Sequence, residues 1–206
     1  MNAATRTVRL PPKEALKPNV VVSLHGKGPR RERRDGGVWY EKAGDGETFW
    51  LDATAERMIH GVVSTGTVNT HNYSLDPAGC EFKLPVPLLF RHAFKAGSRT
   101  CVTKNRDEAK IGSIVLIRRS KWQIYIQATI DKSLAGDAVW RFVVSGEARS
   151  MSGSAVSTRL RGVVDGVEYY DKWILDEGSI TRKGANPDCW CEPYRPGFTE
   201  VPQWGV

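Results

Sequence analysis

Apolar positions recur along this chain at two spacings, and each predicts its own kind of element. Residues 48–51 and 58–67 read as strands, rich in Val, Ile and Thr. Residues 111–117 and 122–130 predict a hairpin around Arg118-Arg-Ser-Lys121; in its second strand Trp122, Ile124, Ile126 and Ala128 alternate with polar neighbours, the mark of one buried face. The period then lengthens. Leu134, Ala138 and Phe142 recur every fourth residue, as do Ala135, Val139 and Val143, so all six fall on one apolar stripe of a helix over 133–145. Ser133 suits its N-cap and Gly146 the left-handed residue just past its end. Beyond that glycine the period shortens towards two and a strand begins. Residues 155–164 and 167–175 flank Asp165-Gly166, the best two-residue hairpin turn in the chain, and residues 179–181 continue the β texture.

Breakers divide the rest. Residues 1 to about 47 read as a loosely ordered basic segment: Pro11, Pro12 and Pro18 interrupt any helix, and Gly26, Gly28, Gly36 and Gly37 loosen its second half. Within it, residues 20–24 could form one short strand, and Arg30-Arg-Glu-Arg-Arg34 is a basic knot, read as a solvated tail segment, an anchor to an acidic partner or a cleavable linker. Residues 69–79 form a polar loop, 81–90 an extended stretch punctuated by Pro85 and Pro87, and 96–110 a charged loop. Residues 188–206 are a tail rich in proline and aromatics, expected to dock on the body of the protein. A central domain over 48–187 remains. Many short strands, one clear helix and long loops predict a mainly β fold, a closed or nearly closed antiparallel β-barrel with helical cover.

Composition changes this picture little. At 206 residues the chain is long enough for one domain with a sizeable core. No apolar run approaches the ~20 residues of a membrane span, and the N-terminus lacks the apolar region of a secretory signal, so a cytosolic protein is expected. The net charge of +7 favours acidic partners without selecting among them. The four cysteines are expected as free thiols. Cys189-Trp-Cys191 lacks the two-residue spacer of most zinc sites, so neither metal nor cofactor is expected.

The candidate chemistry lies after the helix, in Val144-Ser-Gly-Glu-Ala-Arg-Ser-Met-Ser-Gly-Ser154. A serine at the start of a buried strand is held rigidly, as a nucleophile must be, but it also needs a base and a group that orients the base. Histidine is the natural base. His25 lies in the loose N-terminal segment, His60 inside a strand where a packing role is expected, and His71 in a polar loop suited to substrate contact. His92 follows Leu88-Leu89-Phe90, so an apolar strand would hold it at its end. For the third member, adjacent Asp176 and Glu177 point to opposite faces of a strand and spacing does not choose between them. Thr181-Arg-Lys-Gly184 has the irregularity an oxyanion hole uses, though no residue is singled out there.

Three stretches carry a resemblance. Gly146-Glu-Ala-Arg149-Ser-Met151-Ser152 resembles the Gly-x-x-Arg-Gly-(Leu/Met)-Ser segment of tailed-phage prohead maturation proteases, distant relatives of herpesvirus assemblins. Pro87-Leu-Leu-Phe-Arg-His92 resembles their (Val/Ile)-Pro-Leu-Leu-x-x-His segment. Glu177-Gly-Ser-Ile-Thr-Arg-Lys-Gly-Ala185-Asn186-Pro187 resembles their Glu-x-Ser-(Leu/Ile)-…-Pro-Ala-Asn-Pro segment. The order is that of the family, and the matches span roughly residues 55–190. The resemblance implies an assemblin-type barrel and a serine endopeptidase with Ser152 as nucleophile, His92 as base and Glu177 as the orienting acid. It also implies action inside an assembling phage prohead in the host cytoplasm, on scaffold, on the scaffolding segment of the major capsid protein and on itself. Protein, not membrane or nucleic acid, is the implied partner, and a homo-oligomer is compatible with it. The chain departs from the pattern at Ser150, where glycine is common, at Gly153-Ser154-Ala155, and at Gly184, where proline precedes Ala-Asn-Pro. Serines 150, 152 and 154 share one strand face, so Ser154 is the alternative nucleophile if the strand bulges at Gly153. A non-enzymatic capsid-assembly or nucleic-acid-binding protein on the same barrel is the other class of reading.

Overall fold

The structure, a computed structural model, describes residues 30–33, 38–43, 46–51, 56–92 and 110–194. Its strands in chain order are β1 (Arg30–Arg33), β2 (Trp39–Ala43), β3 (Gly46–Trp50), β4 (Met58–Thr65), β5 (Tyr73–Leu75), β6 (Cys80–Glu81), β7 (Val86–Phe90), β8 (Lys110–Arg119), β9 (Gln123–Ile130), β10 (Ser150–Val164), β11 (Val167–Thr181) and β12 (Trp190–Pro193). One α-helix, α1 (Leu134–Val144), and a single 3-10 turn, Pro77–Gly79, complete the described residues. The fold is mainly β, one curled half-barrel sheet.

One path across the sheet runs β12-β4-β9-β8-β7-β11-β10. Its ends come back towards each other: Gly153 on β10 faces Val63 on β4, and the Cys191 N–H of β12 donates to the Arg149 carbonyl just before β10, 2.9 Å away. Inside the curl, Ile59, Leu88, Ile114, Ile117, Ile126, Met151 and Ile180 are fully buried. Both hairpins expected from the pattern are present. The β10–β11 hairpin turns at Asp165 and Gly166, both left-handed at φ 51° and 77°, as a tight two-residue turn requires. On β9, Ile124, Ile126 and Ala128 are buried on one face, but Trp122 precedes the strand and is 58% exposed, with the Lys121 ammonium over its ring.

Other expectations need correction. The sheet is not purely antiparallel: β11 pairs in parallel with β5, β6 and β7, because the chain from 73 to 90 reaches that edge in three short extended pieces. The segment expected to be loose up to residue 47 contributes β1, β2 and the start of β3; the Tyr40 and Phe49 rings meet at 4.9 Å, tilted by 35°, and give the β2–β3 hairpin a buried face. The helix is capped as expected, with Ser133 Oγ accepting from Gly136 N and Gly146 at φ 77°. Its buried seam, however, is Gly136, Val139 and Val143, while Leu134 and Ala138 are exposed. Gly136 sets this rotation: a Cβ there would lie 2.1 Å from the Asp131 carbonyl oxygen, so the first turn sits directly on that backbone. The C-terminal stretch docks on the body through β12, which pairs with β4. The short strand expected at 20–24, most of the charged loop at 96–110 and the end of the tail lie outside the described residues.

Candidate active site

The site is built on the paired ends of β10 and β11. Ser150, Ser152 and Ser154 face Thr181, Ser179 and Glu177 in register, a polar ladder three rungs long. The opposite face of the same rungs is core, formed by Met151, Gly153, Gly178 and Ile180. Alternation alone would not give this arrangement, because Trp173 and Leu175 are also core residues of β11 and carry the same parity as Glu177. The difference is a β-bulge: Ala155 pairs with Leu175 and Ser154 with Glu177, which leaves Asp176 as an extra residue. The bulge shifts the parity and turns Glu177 out of the core onto the serine face.

His92 reaches this face from the other edge of β11. β7 runs parallel to β11, pairing Leu88, Leu89 and Phe90 with Gly178, Ser179 and Ile180, and its two leucines are fully buried. Past Phe90 the chain turns sharply: Arg91 and His92 are both left-handed, at φ 55° and 52°. Such a conformation costs a non-glycine residue about 1–3 kcal/mol and persists only where neighbours hold it. Two bonds do so here, from Arg91 N to the Ile180 carbonyl and from His92 N to Ser179 Oγ, both 3.0 Å. The His92 ring lies against Glu177, with Nδ1 2.5 Å from Oε1. The carboxylate side chain is 7% exposed and the imidazole 23%. With Nδ1–H donated to Glu177, Nε2 is the nitrogen left to take a proton.

His92, Ser152 and Ser154 line one cleft of about 450 Å³, together with His71, Thr181 and Lys183. All three residues expected at the site are thus brought to one place, and Glu177, not Asp176, is the acid on the histidine. Among the described residues no hydrogen bond joins Ser152 to His92; the strand that carries Ser179 lies between their backbones. The strand does not bulge at Gly153, which pairs squarely with Gly178; the register shift falls further on, between Ser154 and Ala155. His71 is exposed, its ring stacked on Tyr73 and its backbone N–H donated to Asn69 Oδ1. Arg182 pairs with Glu147, not with either acid of the Asp176-Glu177 pair.

The loop after β11 closes one side of the cleft. Asn186 Nδ2 donates to Thr65 Oγ1 at 2.8 Å, and the Ala185 carbonyl accepts from Thr70 N, so Ala-Asn-Pro ties the loop to the end of β4 and to the 66–72 turn. Two departures from the family pattern meet here. Ser150 Oγ accepts from Gly184 N at 2.9 Å and donates to the Cys189 carbonyl at 3.1 Å. A proline at 184 has no N–H to give, and a Cβ there would lie 2.6 Å from Ser150 Oγ and 2.7 Å from the Met151 carbonyl oxygen. Serine at 150 and glycine at 184 therefore fit each other.

Elsewhere, His60 is packed as expected, and burial lowers its pKa against the opposing pull of the Glu192 carboxylate. Burial pushes the thiols of Cys80, Cys189 and Cys191 up to about 12, so they stay protonated and unreactive at neutral pH. Cys101 lies outside the described residues. Among the described residues no three His, Cys, Asp or Glu side chains gather as a metal site, and no helix is long and apolar enough to cross a membrane. Sequence reasoning missed the part played by Ser179, although Glu177-Gly-Ser179 carried the signal, two polar residues at strand spacing. The chain matches no family model, no curated protein and no solved structure.

Proposed function

We propose that the protein is a serine endopeptidase in which Ser152 attacks the peptide carbonyl. His92 takes the serine proton on Nε2 and returns it to the leaving amine, and Glu177 holds the imidazole through Nδ1. The acyl-enzyme ester is then hydrolysed by water, with His92 again as base. One observation carries the reading: three stretches separated by up to 85 residues in sequence contribute His92, Ser152 and Glu177 to one face of one strand pair, with the acid seated on the histidine. The resemblance supplies the biology, a prohead maturation protease acting on scaffold, on the scaffolding segment of the capsid protein and on itself. A half-barrel whose end strands approach is compatible with the assemblin-type barrel, and the matched pair Ser150 and Gly184 accounts for two departures from the family pattern.

The unbonded Ser152 and the +7 charge favour the second reading, a capsid-assembly or nucleic-acid-binding protein on the same scaffold. Intact-mass analysis of wild type and Ser152→Ala, with and without a candidate scaffold protein, separates the two. The protease reading expects fragments only from the wild type. Cleavage by neither protein would favour the assembly reading, and equal cleavage by both would move the nucleophile to Ser154.

A further inference from the structure

We propose that Ser179 is the positioning residue of this site: its hydroxyl accepts the backbone N–H of His92 and fixes the left-handed turn that delivers the imidazole to Glu177. The proposal rests on the reading of His92 as the base.

The parallel ladder between β7 and β11 ends at Phe90 and Ile180, with Arg91 N on the Ile180 carbonyl as its last backbone bond. One residue further on, a regular strand would aim the His92 N–H away from β11. Here that N–H finds the Ser179 side chain, which comes from a fully buried residue. The turn out of the strand path, with both Arg91 and His92 at positive φ, brings this N–H back onto β11, and the hydroxyl holds it there. In an extended continuation the side chain at 92 would follow strand alternation, and nothing would hold it against β11.

Glu177 and Ser179 lie two residues apart beyond the bulge, on the same face of the strand. They act on a single residue in two places: the carboxylate grips the His92 ring, and the hydroxyl grips its backbone. Either grip alone leaves a rotation free. A carboxylate can follow a swinging imidazole, and a fixed backbone still permits other rotamers. Together they define the ring plane and the direction of Nε2. The Glu-x-Ser spacing is therefore a two-point clamp on the base. Ser179 is also the cross-strand partner of Ser152, so the readout that isolates the clamp is the His92–Glu177 bond itself, in which Ser152 takes no part.

The test compares wild type, Ser179→Ala and Ser179→Thr for turnover of a peptide substrate, for thermal midpoint, and for the low-field proton resonance of the His92 Nδ1–H bonded to Glu177, assigned by its absence in His92→Gln. In Ser179→Ala we expect kcat to fall by about 10²-fold, the effect of misplacing a reacting group by about 1 Å. KM should change little, the resonance should broaden or vanish, and the protein should remain folded. Ser179→Thr, which keeps the hydroxyl, should retain the resonance and most of the activity. Ser179→Ala with wild-type kcat, or with the resonance intact beside a lowered kcat, would overturn the clamp. The resonance needs no turnover, so a wild type that cleaves nothing defeats the protease reading while the resonance still decides the clamp.

Discussion

Two histidines in this fold each meet a glutamate, and only one of the pairs has the features of chemistry. At His60, Nδ1 meets the Tyr125 hydroxyl and Nε2 meets Glu192, both at 3.0 Å, while the rings of Tyr125, Trp190 and Tyr194 stand edge-on to the imidazole at 5.4–5.9 Å. Both nitrogens are occupied, and the carboxylate is the exposed partner at 60%. At His92 the order is reversed: the carboxylate is buried, only one nitrogen is bound to it, and the ring borders a cleft that also holds serines. A histidine–glutamate contact is therefore a weak sign of catalysis by itself. The informative features are which partner is buried and whether the second nitrogen is free. The His60 arrangement is a fastener, joining β4, β9 and β12 across the outside of the sheet.

Exchanging the carboxylates for amides should break the symmetry between the pairs most sharply. Glu177→Gln keeps the shape but loses the charge that stabilises imidazolium, and kcat should fall by about 10²–10⁴-fold. Glu192→Gln should leave kcat unchanged, measured on the same substrate.

A smaller effect sharpens the other half of the comparison. His60→Phe should keep full peptidase activity and lose stability, because the half-buried Tyr125 hydroxyl loses one of its partners and the contact with Glu192 goes as well, a cost of about 1–3 kcal/mol by denaturant titration. The pH dependence should change as well. Burial favours neutral His60 in the folded state, whereas the unfolded chain binds a proton near the ordinary value of ~6.5. The contribution is complete above that value and is lost as the pH falls through it, so the wild type should weaken more steeply than His60→Phe as the pH drops below about 6.5.

The smallest expected effect concerns the wall of the cleft. Ser150→Ala removes the partner of Gly184 N and of the Cys189 carbonyl and should cost about 1–2 kcal/mol of stability, with only a modest change in KM. Ser150→Ala combined with Gly184→Ala should cost less than the sum of the two by thermal unfolding, because the Cβ at 184 no longer meets Ser150 Oγ.

Much of this fold is legible in the order of its residues. Asp165-Gly166, the capped helix and the alternation of β9 arise from local chemistry, and local chemistry is what short-range patterns record. Leu88 and Leu89 likewise announce a buried strand running into His92. Three things are hidden because hydrophobic periodicity does not record them. The parallel seating of β7 on β11 is a long-range pairing with no turn signal. The rotation of α1 depends on how closely Gly136 approaches Asp131. The extra residue at Asp176, which decides that Glu177 leaves the core face, shows no departure in composition from the strand around it. Strand alternation counted through Asp176 would put Glu177 on the wrong face. Only the resemblance singles out Glu177, and the bulge supplies the physical reason why that residue can reach His92.

The most direct measurement is labelling of the native protein with a serine-directed fluorophosphonate, followed by peptide mapping of wild type and His92→Ala. An activated serine displaces fluoride from the phosphorus, so the adduct reports both the nucleophile and its base. A single adduct is expected on Ser152 in the wild type and none in His92→Ala. An adduct on Ser154, an adduct that persists without His92, or no adduct at all would contradict this assignment.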